Sequence, residues 1–153
     1  MNTSNYPPPA VTAPMTGIGK IIFRVTTAGG AIPLEGAQVV VRQRGADTHP
    51  NRGDAVAVMT SDVSGKTPVL ELPAPARALS MSPSPDGAAP PFACYDAEVS
   101  LEGYYVMEYV CIPVFDGITS IQPSTLTPLP ENGRPDGANP EDTVIFEGEN
   151  PNL

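Results

Sequence analysis

Acid-base or nucleophilic chemistry in this chain would have to begin at His49, the sole histidine of the sequence. It lies in the polar stretch His49-Pro50-Asn51-Arg52-Gly53-Asp54, with Asp47 just upstream. A Ser-His-Asp or Cys-His site needs its base held rigidly against the nucleophile, and a loop histidine with no strand or helix to anchor it is a poor start. An exposed loop residue is therefore expected. Zinc would need three or four Cys, His or carboxylate ligands in paired spacings, and two cysteines with one histidine do not supply them. Asp62-Val63-Ser64-Gly65 carries oxygens that could bind calcium, but Asp and Ser before Gly are equally what a β-turn uses without metal. Glu98, Glu102 and Glu108 are candidates for paired carboxylates, yet Glu102 falls at the tip of an expected hairpin, so a solvated face is the better account. The expectation is a non-enzyme with no catalytic residue, no cofactor and no metal.

The cysteines say more. If Glu102-Gly103 is a two-residue turn, Cys94 and Cys111 stand opposite each other, on the face away from Tyr95, Ala97 and Val99. A cross-strand disulfide is then within reach and suits an oxidising exterior; a pair of reduced thiols is the alternative. A register slip of one residue would separate the pair.

Two further groups are candidates for contact with partners. Lys20 and Arg24, with Arg42 and Arg44, would form a basic strip if their strands pair, facing an anionic glycan or another subunit's acidic tail; ordinary solubilising charge is the plainer reading. Thr143, Val144, Ile145 and Phe146 form a β-prone apolar patch in an acidic, proline-punctuated tail. That patch would add a strand to an edge, of its own sheet or of a neighbour's; a tail folded back on its own domain or simply disordered is the plainer reading. Tyr6, in an arm that continues Pro7-Pro8-Pro9, is the corresponding candidate at the other end.

The elements that must position these residues follow from composition and period. The 153 residues suffice for one domain with tails. Twenty prolines and fourteen glycines disfavour long helices and favour short strands joined by turns. Residues 1–16 read as a flexible proline-rich arm of extended polyproline character. From Gly19, alternation places Ile21, Phe23 and Val25 on one face and Lys20, Arg24 and Thr26 on the other, marking a half-buried strand. Further strands are expected at residues 37–44, 55–60, 68–72, 93–101, 104–112 and 118–128, the last at an edge or bulge because of its prolines. The proline-rich stretch 73–91 reads as an excursion and 131–153 as an acidic tail. Seven short strands evenly spaced over 17–130 predict an all-β, antiparallel sandwich.

The formal charge is −9, of which the tail beyond Pro130 supplies −5, so the field repels nucleic acid and anionic membrane; neither is expected as a partner. The first residues have neither the basic start nor the apolar run of a signal peptide, and no stretch reaches membrane-spanning length. The ordinary export route is thus not expected from these residues, leaving a chain that is already mature, synthesis in a sporulating mother cell, or a dedicated export machine.

Three short motifs, Gly36-Ala37-x-Val39-x-Val41, Thr60-Ser61-Asp62-x-Ser64-Gly65 and Tyr95-x-Ala97-x-Val99-x-x-x-Gly103-Tyr104, resemble the carboxypeptidase regulatory-like, or transthyretin-like, domain pattern over residues 17–130. Residues 27–33, Leu72-Pro73-Ala74-Pro75 and 114–122 are similar to accessory β-domains of Firmicutes spore cortex-lytic and peptidoglycan-binding proteins. The resemblance implies an Ig-like or transthyretin-like sandwich that serves as a non-catalytic module of a cell surface or spore envelope. Its implied partners are other protein subunits, from this chain or the envelope, or cell-wall glycan, and it carries no catalytic residue onto this sequence. A polymerising fibre subunit is the second reading, and a component of a cell-wall hydrolase the third.

Overall fold

A computed structural model describes residues 14–44, 49–77, 92–130 and 144–147, the last as backbone. The expectations for Tyr6, Thr143, Asp47, most of the arm, the stretch 78–91 and the rest of the tail lie outside the described residues.

The described residues form β-strands with almost no helix, only a 3-10 turn at Ala28–Gly30 and a helical residue at Arg77. Its strands are β1 (Gly17–Thr27), β2 (Ile32–Pro33), β3 (Gln38–Gln43), β4 (Ala55–Thr60), β5 (Leu70–Ala74), β6 (Ala93–Ser100), β7 (Met107–Val114), β8 (Thr119–Thr125) and β9 (Val144–Glu147). They form two sheets. In sheet A, β1 is central: β8 runs along one side of it, and β5 and β2 share the other. Sheet B has the order β4-β3-β6-β7-β9.

Two expectations are corrected here. The strand number is nine among the described residues, because the two-residue β2 and the short β9 join the seven read from the periodicity. The sheets are rich in antiparallel pairs but not wholly antiparallel, since β1 pairs with β8, and β7 with β9, in parallel. At the turn Asp116-Gly117, where Gly117 has φ +72°, the chain passes from sheet B into sheet A. The turn is fastened to the start of β1, Gly117 N–H donating to Ile18 O at 2.9 Å and Ile18 N–H to Asp116 Oδ1 at 3.1 Å, so β8 sets out beside the beginning of β1 and runs along it in the same direction.

The core lies where the two inner faces meet. Ile21, Phe23 and Val25 of β1 are buried against Val39 and Val41 of β3, with Ala97, Val99 and Ile112 of sheet B. Lys20 and Arg24 point outward as the alternation predicts, but Thr26 is buried. It lies where β2 pairs with the end of β1, and the neighbouring Thr27 Oγ1 donates to Leu126 O at 2.8 Å.

The loop between β4 and β5 is tied to the sheet by its turn. Gly65 adopts φ +80°, and its carbonyl accepts the Val25 N–H at 2.6 Å. A Cβ at this position would stand 2.4 Å from Val25 O, so the site needs glycine for both its backbone angle and its space. Two more bonds, Phe23 N–H to Thr67 Oγ1 and Thr67 N–H to Phe23 O, each 3.0 Å, fasten the return segment along β1.

The β6-β7 hairpin departs from the two-residue turn. Gly103 has φ +88° as a tight turn requires, but β7 starts at Met107 and not at Tyr104. Tyr104 and Tyr105 are taken by the segment after β8: Tyr104 bridges to Pro128, and Tyr105 N–H donates to Thr127 O at 2.9 Å. Near the loop Val99 opposes Met107; farther on, the register shifts, so that Ala97 opposes Tyr109 while Tyr95 opposes Ile112. Two residues of β7, Val110 and Cys111, thus face the single Asp96, which is a β-bulge.

Candidate interaction surface

β8 is built inside out. Its inward residues are Ser120, Gln122 and Ser124, all buried, while Ile121 points outward and is 53% exposed. An ordinary half-buried strand puts its apolar side chains on the core face. The inward polar groups are partly provided for: Ser124 Oγ accepts the Tyr109 hydroxyl at 2.7 Å, and Gln122 Nε2 donates to Pro123 O at 3.1 Å. Ser120 Oγ is buried with no protein partner.

The parallel register sets Ile121 beside Ile22 of β1 on the outer face of sheet A. The same face continues across β1 to Ile18, 54% exposed, which lies opposite Pro73 of β5. Lys20 sits between the two isoleucines of β1 and is opposite Glu71, with Nζ 3.8 Å from Oε1. An ion pair this exposed contributes little to folding, on the order of 0–1 kcal/mol. Arg24 lies opposite Pro123. The result is an apolar strip along β5, β1 and β8, interrupted by one charge pair and flanked by Arg24, which Lys66 faces across an isolated bridge.

Among the described residues β8 pairs with β1 alone, and its other edge is a poor site for a further strand. The bonds at either end of the pairing, Lys20 N–H to Ile118 O and Leu126 N–H to Thr26 O, set its phase. The amides of 120, 122 and 124 therefore face β1, and Pro123 occupies a position whose amide would face away. Having no N–H, it blunts that edge, in agreement with the edge position read from the prolines. The apolar side chains Ile18 and Ile121 are exposed on the face of sheet A and not at this edge.

The basic strip does not form. β1 and β3 belong to different sheets, so Lys20 and Arg24 lie on one outer face, while Arg42 and Arg44 belong to the other layer. The sequence shows that each strand alternates but not which strands pair. Arg42 Nη1 donates to Gly53 O at 3.3 Å, and Arg44 Nη1 lies 3.2 Å from Asp96 Oδ1.

Asp96 organises this side of sheet B. Its side chain is fully buried although it sits on the outer face, because the segment after β3 covers it. The carboxylate accepts from Arg44, from Asn51 N–H at 3.0 Å and from Cys111 N–H at 2.9 Å. Cys111 and Asn51 both have positive φ, +58° and +56°, so the carboxylate holds two backbone turns that a non-glycine residue seldom adopts. Nothing in the sequence pattern singled out Asp96, which looked like one more polar residue of an alternating strand.

Cys94 and Cys111 are joined by a disulfide, with Cα atoms 4.5 Å apart. They are not register partners, since Cys94 opposes Pro113; the bulge swings Cys111 back towards Cys94. The direct opposition expected from a two-residue turn is absent, and the pair meets across the bulge instead.

Glu98 and Glu108 oppose each other directly. Burial, then the Glu98 charge, raise the Glu108 pKa above the ordinary glutamate range. Arg52 and the Asn51 carboxamide oppose the rise, but neither amide atom of Asn51 makes a satisfying hydrogen bond. Glu102 is exposed at the hairpin tip and His49 is exposed in its loop. The Asp62 carboxylate is occupied by its own turn, its Oδ1 accepting from Ser64 N–H, Ser64 Oγ and Lys66 N–H at 2.9, 2.6 and 3.0 Å. The Ser64 hydroxyl, then the Lys66 amide, hold its pKa below the usual aspartate range. Among the described residues no cluster of three or more His, Cys, Asp or Glu is placed to hold a metal, and no helix is long and apolar enough to cross a membrane.

Of the tail patch, Val144, Ile145 and Phe146 lie in β9, paired in parallel with Met107, Glu108 and Tyr109 of the same chain.

No family model matches the chain, and no curated protein does. Solved structures to which it is similar include the Bacillus anthracis TIE protein, at 15% identity and TM-score 0.45, covering 74% of this chain and 17% of that one. Another is the minor pilin GBS52 of Streptococcus agalactiae, at 14% identity and TM-score 0.44, covering 78% and 48%. Catechol 1,2-dioxygenase from Pseudomonas arvilla C-1 is a third, at 10% identity and TM-score 0.45, covering 88% and 59%. The chain spans less than two thirds of the length of each of these proteins. Likeness at this level carries neither family nor function to the chain.

Proposed function

We propose that this chain is a non-catalytic structural or accessory module of a bacterial cell-surface or spore-envelope assembly, and that it docks other proteins on the outer face of sheet A. The observation that carries the reading is the inversion of β8, which turns Ile121 outward beside Ile22 while Ser120, Gln122 and Ser124 are buried. An outward isoleucine on such a strand forgoes core burial worth roughly 1.5–3 kcal/mol, an arrangement explained by a partner that covers it. The flanking Lys20, Glu71 and Arg24 would give such a contact a polar rim.

The carboxypeptidase regulatory-like, transthyretin-like kinship is part of the same proposal. In its support, Gly36 and Gly103 of the motifs lie at positive φ in turns beside β3 and β6, and the Ser64-Gly65 pair closes the turn after β4. Cell-wall glycan is the competing partner. Retention of the full chain on isolated envelopes separates the two: binding should persist on envelopes that keep their proteins and disappear after protease stripping. Equal retention on stripped, purified peptidoglycan would replace the protein partner with glycan, and release of sugar fragments would overturn the non-catalytic reading.

A further inference from the structure

β9 extends sheet B beyond β7 by only four residue pairs, Met107 to Val144 through Val110 to Glu147, and among the described residues it pairs with β7 alone. The chain that leads to it starts close by. Leu129 N–H donates to Gly103 O at 2.8 Å, and Pro128 bridges to Tyr104, so the chain at 128–129 is fastened beside the hairpin loop. From Gly103 to Met107, where β9 begins its pairing, the backbone spans at most roughly 14 Å. Residues 131–143, which join these two points, span roughly 45 Å when extended. A third of that length would close the gap.

We propose that β9 is an exchangeable strand, able to leave its own β7 and pair with β7 of a second copy of this chain. The acceptor is suitable because a β ladder is made of main-chain bonds, and the β7 edge of every copy is the same. The surplus tether supplies the reach. It also sets the conditions, since a connection of thirteen residues corresponds to an effective concentration of β9 at its own β7 in about the millimolar range. Intrachain pairing therefore dominates in dilute solution, and exchange takes over where copies are packed at comparable density, as in an array on a surface. Reciprocal exchange closes a two-fold dimer; exchange in one direction makes an open chain. This inference does not depend on what covers the outer face of sheet A, because the acceptor edge belongs to the other sheet.

The test uses the full chain with a photo-cross-linking residue at position 145, in an equal mixture of ¹⁴N- and ¹⁵N-labelled protein. Cross-linked peptides containing β7 are read as same-isotope or mixed-isotope pairs. Mixed pairs should be scarce at micromolar protein and rise at least about tenfold relative to same-isotope-only pairing in the millimolar range. In a second variant lacking residues 132–139, intrachain cross-links should remain while mixed pairs fall back to the dilute level. Purely intrachain cross-links at every concentration would overturn the proposal, as would mixed pairs unaffected by the shorter tether, or cross-links that avoid β7. Loss of exchange with envelope retention intact would leave the proposed docking on sheet A standing.

Discussion

The Asp96 carboxylate accepts the Cys111 N–H at 2.9 Å, across a bulge in which Cys111 takes φ +58°. The same carboxylate holds Arg44 and the Asn51 amide, so one buried group fixes a strand, a bulge and a loop. Asp96→Ala should cost about 3 kcal/mol of unfolding free energy, because it leaves three donors without their acceptor. Urea denaturation measures it. A loss below about 0.5 kcal/mol would show that water replaces the carboxylate without penalty.

The Cys94–Cys111 bridge encloses a short loop, with a sequence separation of 17. For loops near this length a disulfide contributes roughly 3 kcal/mol by restricting the unfolded chain. The Cys94→Ser, Cys111→Ser double variant should therefore melt well below the wild type, and reductant should lower the wild type alone. The unreduced protein should resist alkylation at both thiols in intact-mass measurements.

Glu108 gives the pH dependence a definite sign. Its folded pKa is raised, so the folded protein holds that proton more tightly than the unfolded chain does. Its ionisation therefore works against the fold: the stability gained from protonation appears as pH falls through the raised folded pKa and is complete below the ordinary glutamate value. Glu108→Gln should remove this component and stabilise the protein at neutral pH. Asp62 and Asp116 act in the opposite sense. Both are lowered, Asp116 by the amides of Arg77 and then Ile18, so their contribution is present above the ordinary aspartate value and is lost as pH falls further. Wild-type stability should thus pass through a maximum in mild acid, and the rise towards that maximum should be absent in Glu108→Gln.

The strands were largely legible in the sequence because a period of two is a local property. The runs around Ile21 to Val25 and Ala37 to Val41 alternate clearly, and both are strands with those residues inward. Sheet membership was not legible, since it depends on which edges meet. That is why Lys20 and Arg42 were candidates for one strip yet lie on different layers. β8 hid its inversion because Ile118, Ile121 and Leu126 are not spaced by two, so no face could be assigned. The bulge at Asp96 was equally hidden, being a tertiary consequence of a buried carboxylate and a disulfide acting on one backbone segment.

The claim on which the functional account rests is that Ile121 belongs to a docking face. It is tested most directly by the retention on protein-bearing envelopes of Ile121→Lys, compared with wild type and with Val58→Lys, an exposed change on the edge strand β4 of sheet B. Loss of one buried isoleucine from an interface corresponds to roughly tenfold or more in affinity. Retention should fall by about that factor for Ile121→Lys and stay at the wild-type level for Val58→Lys. Unchanged retention of a folded Ile121→Lys protein would contradict the account.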